Sequence, residues 1–434
     1  MKSINKFNSI IGIVLLLPLV LFGCSSNTNS VSSNEGSGAD ASQQVELDIL
    51  SWWTAGGEAD ALNAVLDGFH AAHPDILVEN AAVAGGAGSN AQTVLATRLA
   101  GGDPPAIFQA QGGPDLLRWQ ESDSLEALTG FYDEFGWKDV IPETLLQMNT
   151  VDNEIYGLPI NVHRNNVIWY NKKVLDENGL QPPTTYDEFF TTAEALKAKG
   201  ITPLALGDKN PRWATLLLET ALLDQLGADG IAKLWTGDVD FDTPEVRAAI
   251  GIYQKMLTYT NENHSALDWQ DAAELIVSGD AAMMIMGDWA SGFFASKNME
   301  PNVDYGWITT PSKEKIFNVV NDSMGMPKGV ANQEAVKKLV EYFGSVEGQK
   351  AFNKLKGSIP ARTDVDVSDY SLYSQSAAQD FKDSKIVLSL AGGSATPAAF
   401  INKFDELINM LTYQQDADAF VQALNEAKTI LKGN

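Results

Sequence analysis

Adjacent tryptophans, Trp52 and Trp53, close a short predicted strand and run into Thr54-Ala55-Gly56-Gly57, a turn. Two more stand beside aspartates at the edges of predicted elements, Trp269 in Leu267-Asp268-Trp269-Gln270 and Trp289 in Met286-Gly287-Asp288-Trp289. A flat aromatic face next to polar side chains suits the apolar face and hydroxyl edge of a sugar ring. Taken singly each tryptophan reads as packing, but as a group at element ends they point to a binding site. Other chemistry is thin. The chain has no Gly-Lys dipeptide and so no Walker A loop, it has no G-x-S-x-G, and its one cysteine is Cys24. Gly85-Gly86-Ala87-Gly88 lacks the third glycine of a dinucleotide fingerprint and reads as a turn. His70 and His73 are three apart at a helix end, which reads as a solvated terminus rather than half a zinc site. With 56 acidic residues, a glycosidase carboxylate pair would be hidden among them, so sugar hydrolysis stays open as an alternative to sugar binding.

The elements that must position these residues alternate along the chain. Val45 to Ser51 reads as a strand, and Leu62, Val65, Leu66 and Phe69 share one helical face. Ile76 to Val83 is the next strand, Ala91 to Leu99 a helix, and Ala106 to Gln111 a third strand after the breakers Gly101-Gly102-Asp103-Pro104-Pro105. Two βαβ units in succession imply a parallel sheet covered by helices. Ligands of such sheets bind at the carboxyl ends of strands, where Trp52 and Trp53 lie. Helices are predicted near Tyr186 to Lys199, Ala214 to Leu226, Pro244 to Tyr259 and Gln333 to Phe343, with a buried strand at Ala281 to Met286 that Trp289 closes.

At the N-terminus Lys2 and Lys6 precede an apolar stretch from Ile10 to Gly23. It is shorter than the roughly 20 apolar residues of a spanning helix and has the layout of an export signal. Leu21-Phe22-Gly23-Cys24 resembles a bacterial lipobox, which implies cleavage before Cys24, acylation of its thiol by a fatty acid such as palmitate, and a lipoprotein held at the cell envelope, facing the periplasm or the cell exterior. Residues 24–44 are rich in Ser, Asn, Gly and Gln and read as a tether with an end-to-end distance of about 25 Å. Residues 45–434 hold the core: the chain is 44% hydrophobic with ten tryptophans, and a stretch this long divides into two lobes. The net charge of −26 becomes −28 once Lys2 and Lys6 leave with the signal, which repels nucleic acid.

Several segments in order carry a more specific resemblance. Gly102-Asp103-Pro104-Pro105-Ala106-Ile107-Phe108, Tyr156-Gly157-Leu158-Pro159, Trp169-Tyr170-Asn171, Pro183-Thr184-Thr185-Tyr186-Asp187-Glu188-Phe189 and Ser345-Val346-Glu347-Gly348-Gln349-Lys350-Ala351-Phe352 resemble family 1 extracellular solute-binding proteins, the sugar-capturing subunits of ABC importers. Ser51-Trp52-Trp53, Gly85-Gly86-Ala87-Gly88, Asn161-Val162-His163-Arg164, Met286-Gly287-Asp288-Trp289-Ala290 and Leu355-Lys356-Gly357-Ser358-Ile359 are similar to the glucose-type members. The resemblance spans essentially all of the chain after Leu47. It implies an α/β fold of two lobes, each a mostly parallel sheet flanked by helices, with ligand in the cleft between them. The lobes are expected roughly at 45–155 plus a segment near 310–360, and at 160–305 plus the C-terminal helices.

The resemblance also implies a site. Trp52, Trp53, Trp269 and Trp289 would stack on the sugar, and Glu58, Gln109, Gln111, His163, Asp322 and Lys356 would hold its hydroxyls. Two positions depart from the glucose-type pattern. Gln109-Ala110-Gln111 stands where Gln-x-His is expected, and Gly392-Gly393 where a His precedes a glycine. Gln111 keeps a donor and an acceptor, whereas Gly392 keeps neither, which would leave room for water or a bulkier sugar. The implied function is capture of a monosaccharide such as glucose or a related hexose by hinge closure and delivery to the importer's membrane subunits, by a monomer with no enzymatic activity, cofactor or metal. A disaccharide receptor and an anchored glycoside hydrolase are the alternatives.

Overall fold

The computed structural model describes residues 44–85 and 88–432. The export signal, Cys24 and the tether before Gln44 lie outside the described residues. The strand β1 (Val45–Ser51) pairs in parallel with β2 (Ile76–Ala82), from Val45 opposite Ile76 to Ser51 opposite Ala82. Between them the helix α1 (Gly56–Ala72) buries Ala61, Leu62, Val65 and Phe69, the three-and-four spacing that lays one face on a sheet. The helix α2 (Ser89–Gly101) returns the chain to β3 (Ile107–Gln111), which joins the other edge of β1, and α3 (Pro114–Glu121) follows. The first three strands are therefore the two parallel βαβ units that the alternation predicts.

The rest of the sheet architecture differs from the expectation of mostly parallel strands. Asp322–Gly325 adds antiparallel to β3, and Gly157–Pro159 adds antiparallel to it in turn. The second lobe carries two four-stranded sheets, each with one parallel and two antiparallel pairings. The physical reason lies in connectivity, because strands that pass from one lobe to the other run back against those they join. Gly157–Pro159 lies in the first sheet, and Asn161–Arg164, one residue later, lies in the second lobe. Ile316–Val320 and Asp322–Gly325 are divided in the same way at Asn321. A third crossing follows the helix Val346–Lys356, which packs on α1, and leads into Ile359–Pro360 of the second lobe. The molecule is thus a two-lobe α/β fold with three adjacent crossings.

Several element edges also move. Trp289 does not end the buried strand, which stops at Ile285, but opens the helix Trp289–Ser296. Trp269 is the first residue of the helix Trp269–Ser278, whose start is fixed by a reciprocal cap between Asp268 and Asp271. The helix predicted to stop at Leu226 continues to Trp235 past a break at Gly227, whose φ of 66° ends the regular turn.

Candidate functional site

The crossings bring the chemistry together. Asp322 is the first residue after the Asn321 crossing, His163 lies three residues after the Ile160 crossing, and Lys356 is the last helical residue before the third. Strand geometry then adds the glutamines. Gln109 and Gln111 are two apart on β3 and so share a face, and Gln111 stands directly opposite Asp322 in the antiparallel pairing. Trp52 and Trp53 follow the end of β1, and Glu58 lies in the first turn of α1.

All but one of these residues line a cavity of ≈ 70 Å³ between the lobes. Trp52, Trp53, Glu58, Gln111, His163, Trp269, Trp289, Asp322 and Lys356 all reach its wall. Gln109 does not. Its side chain lies behind the wall, donating to Asp322 Oδ1 at 2.8 Å and accepting from the Trp52 backbone N–H at 3.0 Å, so it fixes two lining residues rather than facing a ligand. Two further residues line the cavity and escaped the sequence reading, Trp213 and Val320. Trp213 opens a long apolar helix and carried no signal that separates it from core; Val320 sits in a wholly buried strand.

Aromatic walls come from both lobes. Trp53 is fully buried and packs against Phe352 with centroids 4.8 Å apart, while Trp52 is half-buried against the backbone of Gly88. From the second lobe Trp289 gathers Trp213 at 5.8 Å and Trp269 at 6.5 Å. Glycine makes the approach between lobes close enough: a methyl group on Gly57 would stand 3.0 Å from the Gly292 backbone.

Asp322 is the electrostatic centre. Its carboxylate accepts from Gln109 and, at 2.7 Å, from Asn161 Nδ2, and its own N–H donates to Asn161 Oδ1 at 2.7 Å. Burial would raise its pKa, but the adjacent His163 ring and the Lys356 charge outweigh that and hold the carboxyl below its usual value. His163 Nδ1 is bonded to Asp288, which also accepts from the Arg164 N–H at 3.0 Å and the Tyr373 hydroxyl at 3.1 Å. Burial alone would lower the His163 pKa; Asp288 overcomes both that and the repulsion of Lys356 and holds it above its usual value. His163 Nε2 lies 3.5 Å from Asp322 Oδ2, too long for a good bond, and is buried at the cavity wall without another partner among the described residues. Lys356 Nζ pairs with Glu58 at 2.6 Å and lies 5.7 Å from the Trp289 ring centre. The arrangement presents a carboxylate, an ammonium and an unpartnered imidazole N–H between indole faces, a set suited to an uncharged polyol.

Gly392 corrects the expectation of spare room. A Cβ there would collide with Val320, so the space is filled by a valine from the hinge strand. A Cβ on Gly393, at φ 73°, would collide with the Gln111 amide. The loop is held from behind by buried Glu219, which accepts from Ser389 Oγ at 2.9 Å and from the backbone N–H groups of Leu390 and Ala391 at 2.6 and 3.0 Å. Elsewhere, His70 is exposed and the His73 ring packs on Phe69 at 4.9 Å; among the described residues no cluster of three metal-ligating side chains occurs.

Known proteins share both the sequence and the shape. Residues 55–350 match the family described as bacterial extracellular solute-binding protein. The chain is 36% identical over 426 residues to an uncharacterised ABC-transporter extracellular-binding protein of Pyrococcus horikoshii, covering 97% of this chain and 95% of that one. It is 32% identical over 383 residues to a probable sugar-binding periplasmic protein of Brucella melitensis, covering 85% and 88%. Among solved structures, a chitin oligosaccharide binding protein superposes with a TM-score of 0.79 at 21% identity, over 90% of this chain and all of that one.

Proposed function

The chain belongs to the family of bacterial extracellular solute-binding proteins, and from that premise we propose that it captures a hexopyranose such as glucose or a related hexose in the tryptophan-lined cavity and delivers it to an ABC importer. The observation that carries this reading is Asp322, a buried carboxylate on the wall of the tryptophan-lined cavity, fixed by one residue from the first lobe and one from a crossing. Its charge makes stronger bonds to hydroxyls than a neutral acceptor would. The sugar-binding description of the Brucella relative agrees with that chemistry. Because first-lobe and second-lobe side chains both line the cavity, a ring there binds the closed arrangement better than an open one and shifts the population toward it. We take closure to do no bond chemistry, in line with the solute-binding description of the family. Acylation of Cys24 would keep the receptor beside its importer.

Isothermal calorimetry of the purified chain against glucose, galactose, mannose and xylose, with recovery of the sugar afterwards, tests the proposal. One-to-one binding of an intact sugar, lost in Asp322→Ala, is expected. No binding to any sugar, or recovery of cleaved products, would overturn it.

A further inference from the structure

Glu219 is fully buried and takes no part in the wall of the tryptophan-lined cavity. It lies on the helix Arg212–Trp235 and grips the loop 389–396, which follows the strand Lys385–Leu388. Its Oε1 accepts from the Leu390 N–H at 2.6 Å and from Asn318 Nδ2 at 3.2 Å, and its Oε2 from Ser389 Oγ at 2.9 Å and the Ala391 N–H at 3.0 Å. Arg212, seven residues back on the same helix, adds a bond from Nη1 to the Ala391 carbonyl at 3.4 Å. Resting on the proposed function, we propose that Glu219 is a positioning residue for the sugar wall: as a carboxylate it holds the loop against Gln111 and Val320, and on taking a proton from solvent it releases the loop, so that sugar is bound more weakly in acid.

The loop reaches the cavity through its glycines. A Cβ on Gly393 would collide with the Gln111 amide and one on Gly392 with Val320, and both Gln111 and Val320 line the tryptophan-lined cavity. From the first lobe, a Cβ on Gly113 would stand 2.8 Å from the Ser394 carbonyl oxygen. A loop that shifts therefore frees the Gln111 amide and parts a contact between the lobes.

Every neighbour of the carboxylate is a donor, and this couples the loop to a proton. Each oxygen already accepts two bonds, the full capacity of a carboxylate. Ser389 Oγ cannot accept a proton in return, because it already accepts from Asn165 Nδ2 at 2.8 Å and from the Gly392 N–H at 2.9 Å. Asn318 presents Nδ2, which is also directed at the Val387 carbonyl at 3.4 Å. A proton on Oε1 crowds the Leu390 N–H, and one on Oε2 crowds Ser389 and Ala391, so either places the strain on the loop.

The surroundings fix the sign. None of the four donors is charged. Lys385, at the far end of its strand, pairs with Glu314 at 2.8 Å, and Asp405 of the helix Ala398–Gln414 pairs with Arg212 at 2.7 Å. The helix Pro244–Leu257, packed beside that of Glu219, brings apolar side chains and Tyr253, whose hydroxyl is bonded to Thr412. Burial pushes the Glu219 pKa up, so the proton arrives above the ordinary carboxyl value, where Asp322, held low, is still charged. Asp115 of the first lobe, which accepts from the Gln111 N–H at 3.2 Å, is also pushed up by burial and is the one group to be separated from Glu219. Sugar that needs the loop in place favours the carboxylate, so capture expels the proton and affinity falls as pH falls through the folded value. For the sugar-free fold the linkage runs the other way, since a carboxyl raised by burial contributes stability below its unfolded value and loses it as pH rises. Acid thus weakens binding without weakening the fold through this group.

Calorimetry of the full chain against glucose, galactose, mannose and xylose between about pH 7.5 and 5, in two buffers of different ionisation heat, tests the proposal. For the tightest-binding of these sugars, affinity is expected to fall about three-fold or more toward pH 5, with net release of protons on binding. Glu219→Gln, whose amide nitrogen cannot accept, is expected to bind about ten-fold more weakly at neutral pH and to show neither effect, whereas Asp115→Asn keeps both. In the sugar-free protein the Leu390 and Ala391 amides are expected to lose protection from hydrogen exchange as pH falls, a readout that needs no variant. Sugar binding without pH dependence or proton release, amides equally protected throughout, or both effects persisting in Glu219→Gln would overturn the proposal and leave the proposed function standing. Loss of both effects in Asp115→Asn would assign them to Asp115 and overturn it as well. Absence of binding to all four sugars would overturn the proposed function and this proposal with it.

Discussion

Asp322 and His163 give the site its pH dependence. The Asp322 pKa is lowered, so its contribution to stability is present above the unfolded carboxyl value of about 3.9 and is lost as pH falls through its lower folded value. The His163 pKa is raised, so its contribution is complete below the unfolded value of about 6.5 and is lost as pH rises through the folded one. The melting temperature is therefore expected to decline on the alkaline side of neutrality, and His163→Gln to flatten that decline; scanning calorimetry from about pH 5 to 9 checks this, and an unchanged slope in the variant would count against the charged imidazole. Gln109 makes a separate case. Because it sits behind Asp322, Gln109→Ala should weaken sugar binding by about ten-fold, through loss of a charge-assisted bond, without removing any ligand contact, whereas Gln109→Glu should do worse by placing a second carboxyl beside the first. At this scale the four tryptophans were legible as a group because they fall at element ends, and the polar residues only through resemblance. Asn161 and Asp288, which hold Asp322 and His163, were quoted within motifs but had no role assigned, since nothing local in a sequence shows what a side chain grips across more than a hundred residues.

Elements decide how these residues meet. The helix Val346–Lys356 reaches from α1 to the hinge: Gln349 Nε2 donates to the Pro159 carbonyl at 3.1 Å and its oxygen accepts from the Arg362 N–H, while Asn353 Nδ2 donates to the Ile160 carbonyl at 2.8 Å. The segment Gly348-Gln349-Lys350-Ala351-Phe352 therefore staples the first crossing to the third. Asn353→Ala leaves the buried Ile160 carbonyl without this donor and is expected to cost about 1–3 kcal/mol in urea unfolding; a loss below about 0.5 kcal/mol would show that the crossings are not tied there. Glu219 behaves alike on a larger scale. Burial raises its pKa against the backbone donors of Ala391 and Leu390, and Glu219→Ala should loosen the loop carrying Gly393 toward Gln111. Helices and the first three strands were legible because hydrophobic period sets them locally. Strand direction beyond β3 was not, because a buried apolar run such as Ala281–Ile285 reads the same whichever way its neighbours run.

For the whole molecule, the two lobes followed from length, alternation and resemblance, while the cavity between α2, α3, Arg212 and the helix Ala398–Gln414 followed from none of them. It is assembled from residues at 88–119, 212 and 393–402, whose proximity is a property of packing. The N-terminal segment adds a prediction independent of the sugar. Metabolic labelling with radioactive palmitate in a bacterial host should mark the exported protein, and Cys24→Ser should abolish the label and release protein from the membrane fraction; a labelled variant would place the anchor elsewhere. The central claim, that a sugar ring lies between the aromatic walls with Asp322 beneath it, is met most directly by a crystal structure of the protein grown with the tightest-binding sugar from calorimetry. The account predicts one pyranose ring within hydrogen-bonding reach of Asp322, His163 Nε2 and Lys356, flanked by indoles from both lobes. Sugar bound elsewhere, with Asp322 making only its bonds to Gln109 and Asn161, would contradict it.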